Sequence, residues 1–116
     1  MKLEVGQFVR TNYGKIDKIL ELNKSYVKGV SQKDEFYSYD IDNIVKASYN
    51  IIEILEIGDY VSTITGECAV IAGVYNDINN KNYLRLCNCI GEYYEDDIKS
   101  VITYEQMEQM AYKVEE

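Results

Sequence analysis

The chain has 116 residues, 47% of them apolar, and a formal net charge of −8 from 12 basic and 20 acidic side chains. No apolar run approaches the ~20 residues a membrane helix needs, and an acidic surface repels phosphate backbones at long range, so neither membrane association nor direct nucleic-acid binding is expected. With no histidine and only three cysteines, the chain lacks the commonest general base and any imidazole to activate a thiol, so no catalytic residue, cofactor or enzymatic activity is expected.

The charge is unevenly placed. Residues 1–52 carry 8 Lys or Arg against 7 Asp or Glu, a balance of +1, whereas residues 53–116 carry 4 against 13, a balance of −9. Met1-Lys2-Leu3-Glu4 runs directly into the first patterned segment, so no signal peptide is expected; a soluble cytoplasmic protein with reduced thiols follows.

In chain order, Leu3-Glu4-Val5-Gly6-Gln7-Phe8-Val9-Arg10-Thr11-Asn12-Tyr13-Gly14 comes first and returns 52 positions later as Leu55-Glu56-Ile57-Gly58-Asp59-Tyr60-Val61-Ser62-Thr63-Ile64-Thr65-Gly66. Two glycines repeating in step with aliphatic and aromatic positions mark two copies of one unit. In the first copy, Phe8 to Asn12 reads as a strand ended by a turn at Gly14. Lys15 to Leu22 reads as a second strand, with Ile16, Lys18, Leu20 and Leu22 on one side and Ile19 marking either a bulge or a partly buried strand. Tyr26–Val30 and Phe36–Tyr39 are the third and fourth strands. One helical turn at Asp40–Asn43 precedes a short fifth strand at Ile44–Lys46. Five short strands with one helical turn before the last is the layout of an SH3-like small barrel. Residues 48–55 then read as a linker helix with Ser48 as N-cap.

The second copy repeats the plan, with strands at Tyr60–Thr63, Cys68–Tyr75 and Tyr83–Cys89. Asp96 to Ile102 aligns with Tyr39 to Val45 at an offset of 57, which places a net five-residue insertion between Gly66 and Asp96, most simply in the Asn76–Asn82 loop. Thr103 with Gln106 three residues on is a capping box, opening a short helix to Met110 that buries Tyr104, Met107 and Met110 or Ala111. Tyr112-Lys113-Val114 suggests an edge strand. The fold class expected is therefore mostly β: two SH3-like five-stranded barrels in tandem, at residues 1–47 and 56–116, with a linker helix at 48–55 and a short C-terminal helix. Units of this size lie near the lower limit of independent stability, so the copies should share a hydrophobic interface.

The doubled Val5-Gly6-Gln7-Phe8-Val9 and Ile57-Gly58-Asp59-Tyr60-Val61 segments resemble those of small tandem SH3-like proteins of phages and prophages of Gram-positive bacteria. The linker Ser48-Tyr49-Asn50-Ile51-Ile52-Glu53 and the ending Ile98-Lys99-Ser100-Val101-Ile102-Thr103-Tyr104-Glu105-Gln106 extend the resemblance over residues 3–114. It implies a phage or mobile-element origin and a place in the cytoplasm of a bacterial host. Small acidic proteins of that source are often inhibitors of host defence.

Candidate chemistry is sparse. Cys87 and Cys89, with Cys68, make a poor zinc site for want of a fourth ligand and read as small core residues. Asp40, Asp42, Glu95, Asp96 and Asp97 lack the spaced oxygens and turn glycine of a calcium loop. No metal is expected. Among the 12 tyrosines, Phe8 with Tyr60 and Tyr37 with Tyr94 match between copies and read as core. Tyr13, Tyr26, Tyr39, Tyr75, Tyr83 and Tyr93 are unmatched and available for an interface, where tyrosine joins a rigid apolar ring to a polar tip. The expected partner-binding set is Asp59, Glu92, Tyr93, Glu95, Asp96, Asp97, Tyr75 and Tyr83. It would face a protein with a basic surface, and the chain would act as a monomer or homodimer. An acidic nucleic-acid mimic such as an anti-CRISPR is the sharpest form of that reading. A nucleotide- or sugar-binding protein and a phage assembly protein are the alternatives.

Overall fold

A computed structural model describes residues 2–31 and 33–110. It contains nine strands: β1 Phe8–Thr11, β2 Ile16–Leu22, β3 Tyr26–Val30, β4 Phe36–Asp40, β5 Ile44–Ser48, β6 Tyr60–Thr63, β7 Cys68–Asn76, β8 Asn82–Leu86 and β9 Ile98–Ile102, followed by helix α1, Tyr104–Met110. They form two antiparallel sheets, ordered β4-β3-β2-β1-β5 and β8-β7-β6-β9. Single 3-10 turns precede β5 and β9, and a third, Ile51–Ile54, joins the sheets. Asn50, not Ser48, caps that linker: Ser48 ends β5, and the Asn50 side chain accepts the Ile52 N–H. No helix among the described residues is long and apolar enough to cross a membrane.

The two copies share their backbone bonding. Ile19 N–H donates to Gln7 C=O at 2.8 Å, and Ile71 N–H donates to Asp59 C=O at 2.8 Å. Gly14 and Gly66 occupy equivalent turns with φ of +87° and +97°, a region where a side chain is strained. The cores correspond as well: Val9, Ile19, Val27 and Tyr39 in the first unit match Val61, Ile71, Leu84 and Tyr93 in the second. The linker joins the second core through Ile52 and Leu55, and Ile16 of β2 packs against it, so the units share apolar surface.

The structure departs from the sequence expectations at several points. The second sheet has four strands instead of five, its fifth being reduced to the single Leu84–Tyr93 bridge, and the linker expected as a helix over 48–55 is one 3-10 turn, Ile51–Ile54. The offset of 57 holds only at β3 and β8. Val27 pairs with Tyr39 and Leu84 bridges to Tyr93, and Thr11 pairs with Ile44 as Thr63 does with Ile98, so the offset closes at 54. The matched core tyrosines are therefore Tyr39 and Tyr93, 6% and 8% exposed, while Phe8, Tyr60, Tyr37 and Tyr94 are only partly covered. In β2 the bulge falls between Ile19 and Glu21, as expected, but Asp17 and Ile19 point into the core while Leu20 and Leu22 are exposed. Helix α1 begins after Thr103 through the expected capping bonds, yet Tyr104 and Met110 are exposed. The suggested strand at Tyr112–Val114 lies outside the described residues.

The helix docks through polar contacts. Arg10 and Asp59 are fully buried and form a bidentate pair across the units, at 2.6 Å and 2.9 Å. Arg10 also donates to Ile54 C=O at 3.1 Å and to Glu105 at 2.5 Å, lies 3.1 Å from Glu56, and sits over the Tyr104 ring. Burial opposes its charge, but the bonds to Asp59 and Glu105 outweigh it and hold the guanidinium more firmly protonated than usual. Removing one member leaves the other buried and unpaired, so Arg10→Met should cost about 3–5 kcal/mol in urea unfolding. Adding Asp59→Asn, which keeps an acceptor for the Glu56 N–H, should recover part of that loss. A single-variant cost below ~1 kcal/mol, the range of exposed pairs, would show that the contact does not hold the units together.

Asp17 is a second buried carboxyl. One of its oxygens accepts the Tyr39 hydroxyl, and the other, Oδ1, has no hydrogen-bond partner. Burial raises its pKa above the ordinary carboxylate value despite the opposing Tyr39 bond. The folded state thus binds a proton where the unfolded chain has lost it. The stability Asp17 confers is full below the unfolded pKa of ~3.9 and falls as pH rises through the folded value. Asp17→Asn should therefore be more stable than the parent at neutral pH, with the gap closing towards pH ~4. A gap that instead widens on acidification would refute this.

Candidate functional site

The outer face of β7 and β8 carries a row of three tyrosine rings. Tyr75 stacks on Tyr83 with centroids 5.7 Å apart and planes at 28°, and Tyr83 meets Tyr94 at 5.7 Å and 44°. Strand alternation explains the first two, because Tyr75 and Tyr83 are direct cross-strand partners with side chains on one face. Gly73 shares that face, and the Tyr75 ring lies down over it: a Cβ at Gly73 would come within 2.5 Å of the Tyr75 hydroxyl. Tyr94 is brought in by the chain that crosses the Leu84–Tyr93 bridge.

Carboxylates frame the row. Asp77 accepts the Tyr94 hydroxyl at 3.0 Å while its other oxygen accepts the N–H groups of Asn79 and Lys81. The Lys81 N–H, with Tyr94 and Asn79, holds the Asp77 carboxyl below its usual pKa, and Asp77 in turn raises that of the Tyr94 hydroxyl. Arg85 lies 6.0 Å over the Tyr83 ring, pairs with Glu92 at 3.3 Å and donates to Ile90 C=O at 3.2 Å. Glu95 and Asp96 stand exposed on the 3-10 turn that follows Tyr94, and Tyr75 is 49% exposed. Ile78, at the tip of the β7–β8 hairpin, is fully exposed.

The structure divides the sequence-derived set. Tyr75, Tyr83 and Glu92 lie on or beside the row, whereas Glu95 and Asp96 are exposed on the turn that follows Tyr94, with Glu95 lining a groove between β2 and β9. Asp59 does not: it is buried against Arg10, because the position that Gln7 fills in the first copy here also answers a charge from the other unit. Tyr93 is not on the surface but in the second core. Asp97 is partly committed, accepting the Tyr94 N–H at 2.9 Å as the cap of the turn. Cys68 and Cys87 are exposed and not core; only Cys89 packs against the core, because the chain leaves β8 at Leu86 and turns at Asn88 with φ +62°. Asp77 and Tyr94 are additions. The Asp77-Ile78-Asn79-Asn80-Lys81 turn was legible as polar loop, but its contact with Tyr94 depends on the offset of 54.

The first copy serves as an internal control. The registers place Asn23, Tyr26 and Asp40 where the second has Tyr75, Tyr83 and Tyr94. The fold is built there without the aromatic row, so packing does not demand it. No family model, curated protein or solved structure matches the chain.

Gly73→Ala should lift the Tyr75 ring and unstack it from Tyr83. Because the obstructing atoms are the end of a mobile side chain and alanine suits a strand interior better than glycine, stability should stay within ~1 kcal/mol. Near-ultraviolet dichroism of the tyrosines should change nonetheless. An unchanged spectrum would mean that the ring does not rest on Gly73.

Proposed function

We propose that this chain is a non-enzymatic protein-binding module of phage or mobile-element origin, built as two SH3-like small barrels in tandem. It inhibits a host nucleic-acid-binding defence effector in the manner of an anti-CRISPR, its second unit standing in for nucleic acid on the effector's basic surface. The observation that carries this reading is the tyrosine row flanked by Asp77 and Glu92, with Glu95 and Asp96 exposed on the turn after Tyr94, on the half of the chain with a balance of −9. Rings offer low-entropy contact area while exposed carboxylates attract Lys and Arg. The SH3-like reading is supported by the strand order β4-β3-β2-β1-β5 with a single 3-10 turn before β5. The protein acts in the bacterial cytoplasm as a monomer or homodimer and needs no cofactor.

A separate feature favours a nucleotide- or sugar-binding role. A groove of about 550 Å³ runs between β2 and β9, with Phe8, Lys18, Tyr49 and Ser100 among its lining. Its apolar and charged groups are mixed without one dominant sign, so the tyrosine row is the better-supported site.

Capture of the partner from host lysate would supply the binding assay. Glu95→Lys with Asp96→Lys, leaving the Asp97 cap intact, should slow association and flatten its dependence on ionic strength, because rim charges act mainly on encounter. Tyr75→Ala should speed release. Reversal of Asp40 and Asp42 should matter little. If binding proves indifferent to salt and to the second-unit reversals, the mimicry reading is wrong.

A further inference from the structure

We propose that the residue seated on the tyrosine row is arginine, presented by a segment of the partner protein; this rests on the protein-binding reading above and names its chemistry. The chain itself shows the arrangement. Its two arginines, Arg10 and Arg85, each lie over a tyrosine ring, at 5.4 Å and 6.0 Å; Arg10 pairs with Asp59 and Glu105, and Arg85 with Glu92. A guanidinium is planar and weakly hydrated, so it stacks on an aromatic face while its edge donates to carboxylates; an ammonium group satisfies the second demand better than the first. The row offers both. Tyr75 presents a half-exposed ring at the end of the stack, and Tyr83 already carries Arg85. Asp77 supplies a carboxylate at the Tyr94 end that accepts its hydroxyl, and Glu92 supplies another beside Tyr83 through Arg85.

Arg85 then has a defined part. It occupies Glu92 and one face of Tyr83, and an incoming guanidinium must either sit beside it on Tyr75 or displace it. Nucleobases also stack on tyrosine rows, but their phosphates would meet Asp77 and Glu92, so a protein segment is the occupant that the charges favour.

The test uses the full chain at about 0.15 M salt, followed by nuclear magnetic resonance titration with hexa-arginine, hexa-lysine and an oligothymidylate. Hexa-arginine should bind roughly ten-fold more tightly than hexa-lysine, and shift the ring resonances of Tyr75, Tyr83 and Tyr94. Tyr75→Ala should weaken hexa-arginine roughly five-fold and leave hexa-lysine unchanged, whereas Arg85→Ala should strengthen hexa-arginine by freeing Glu92. Equal affinities for the two peptides, with shifts confined to Glu95 and Asp96, would overturn the arginine assignment and leave the basic-partner reading standing. Binding of the oligothymidylate alone, or of no probe, would overturn both.

Discussion

The structure turns on one buried ion pair, Arg10 with Asp59. Neither charge is tolerable alone inside the protein: desolvating an unpaired ion costs several kcal/mol, and only a close partner with good hydrogen-bond geometry offsets it. Both guanidinium NH groups of Arg10 are bonded, while its Nε is left without a partner among the described residues. Here the pair spans the two repeats and draws in everything that joins them. Arg10 reaches the linker at Ile54 C=O and the last helix at Glu105, while Asp59 accepts the N–H groups of Glu56 and Tyr104. The two sheets are thereby tied to one another, while Ile16, Ile51 and Ile52 pack in the apolar cluster of the second sheet. The contact also breaks the symmetry of the duplication. Gln7 and Asp59 cap the same turn in their own copies, at 2.8 Å each, but only Asp59 carries the charge that answers Arg10, whose own counterpart is Ser62.

What could be read from the sequence follows from how local each feature is. The strand ends at Gly14 and Gly66, the 3-10 turn before β5, the β2 bulge and the Thr103–Gln106 cap depend on a few neighbouring residues, and each lies where the pattern put it. Registers between distant strands do not have that property. Five residues added in the Asn76–Asn82 loop were visible as an offset change, but three positions lost between Leu86 and Tyr93 were hidden by a chance resemblance of Asp96-Asp97-Ile98 to a stretch three residues out of step. That slip exchanged the roles of the tyrosines, sending Tyr94 to the core and Tyr93 to the surface. In strands, where side chains alternate between faces, a small error of register is enough to do so.

Burial of charge was the other illegible property. Asp59 and Asp96 are the same letter, yet one is sealed against Arg10 and the other faces solvent. Tyr75 and Tyr83 were found because nothing in the repeat required them. The internal comparison gives that argument its physical form: with Asn23, Tyr26 and Asp40 at the same places, the first copy closes its sheet without a ring stack.

The −9 balance of the second half therefore overstates the field a partner meets. Glu56, Asp59 and Glu105 are gathered around Arg10, Asp97 caps a turn and Asp77 closes a hairpin. Glu92 is shared with Arg85, which leaves Glu95 and Asp96 as the exposed acids closest in sequence to the row. The charges that stabilise the fold and the charges open to a partner are thus largely different residues. Binding can then be altered at Tyr75, Glu95 and Asp96 while the Arg10–Asp59 junction, on which the fold depends, stays untouched.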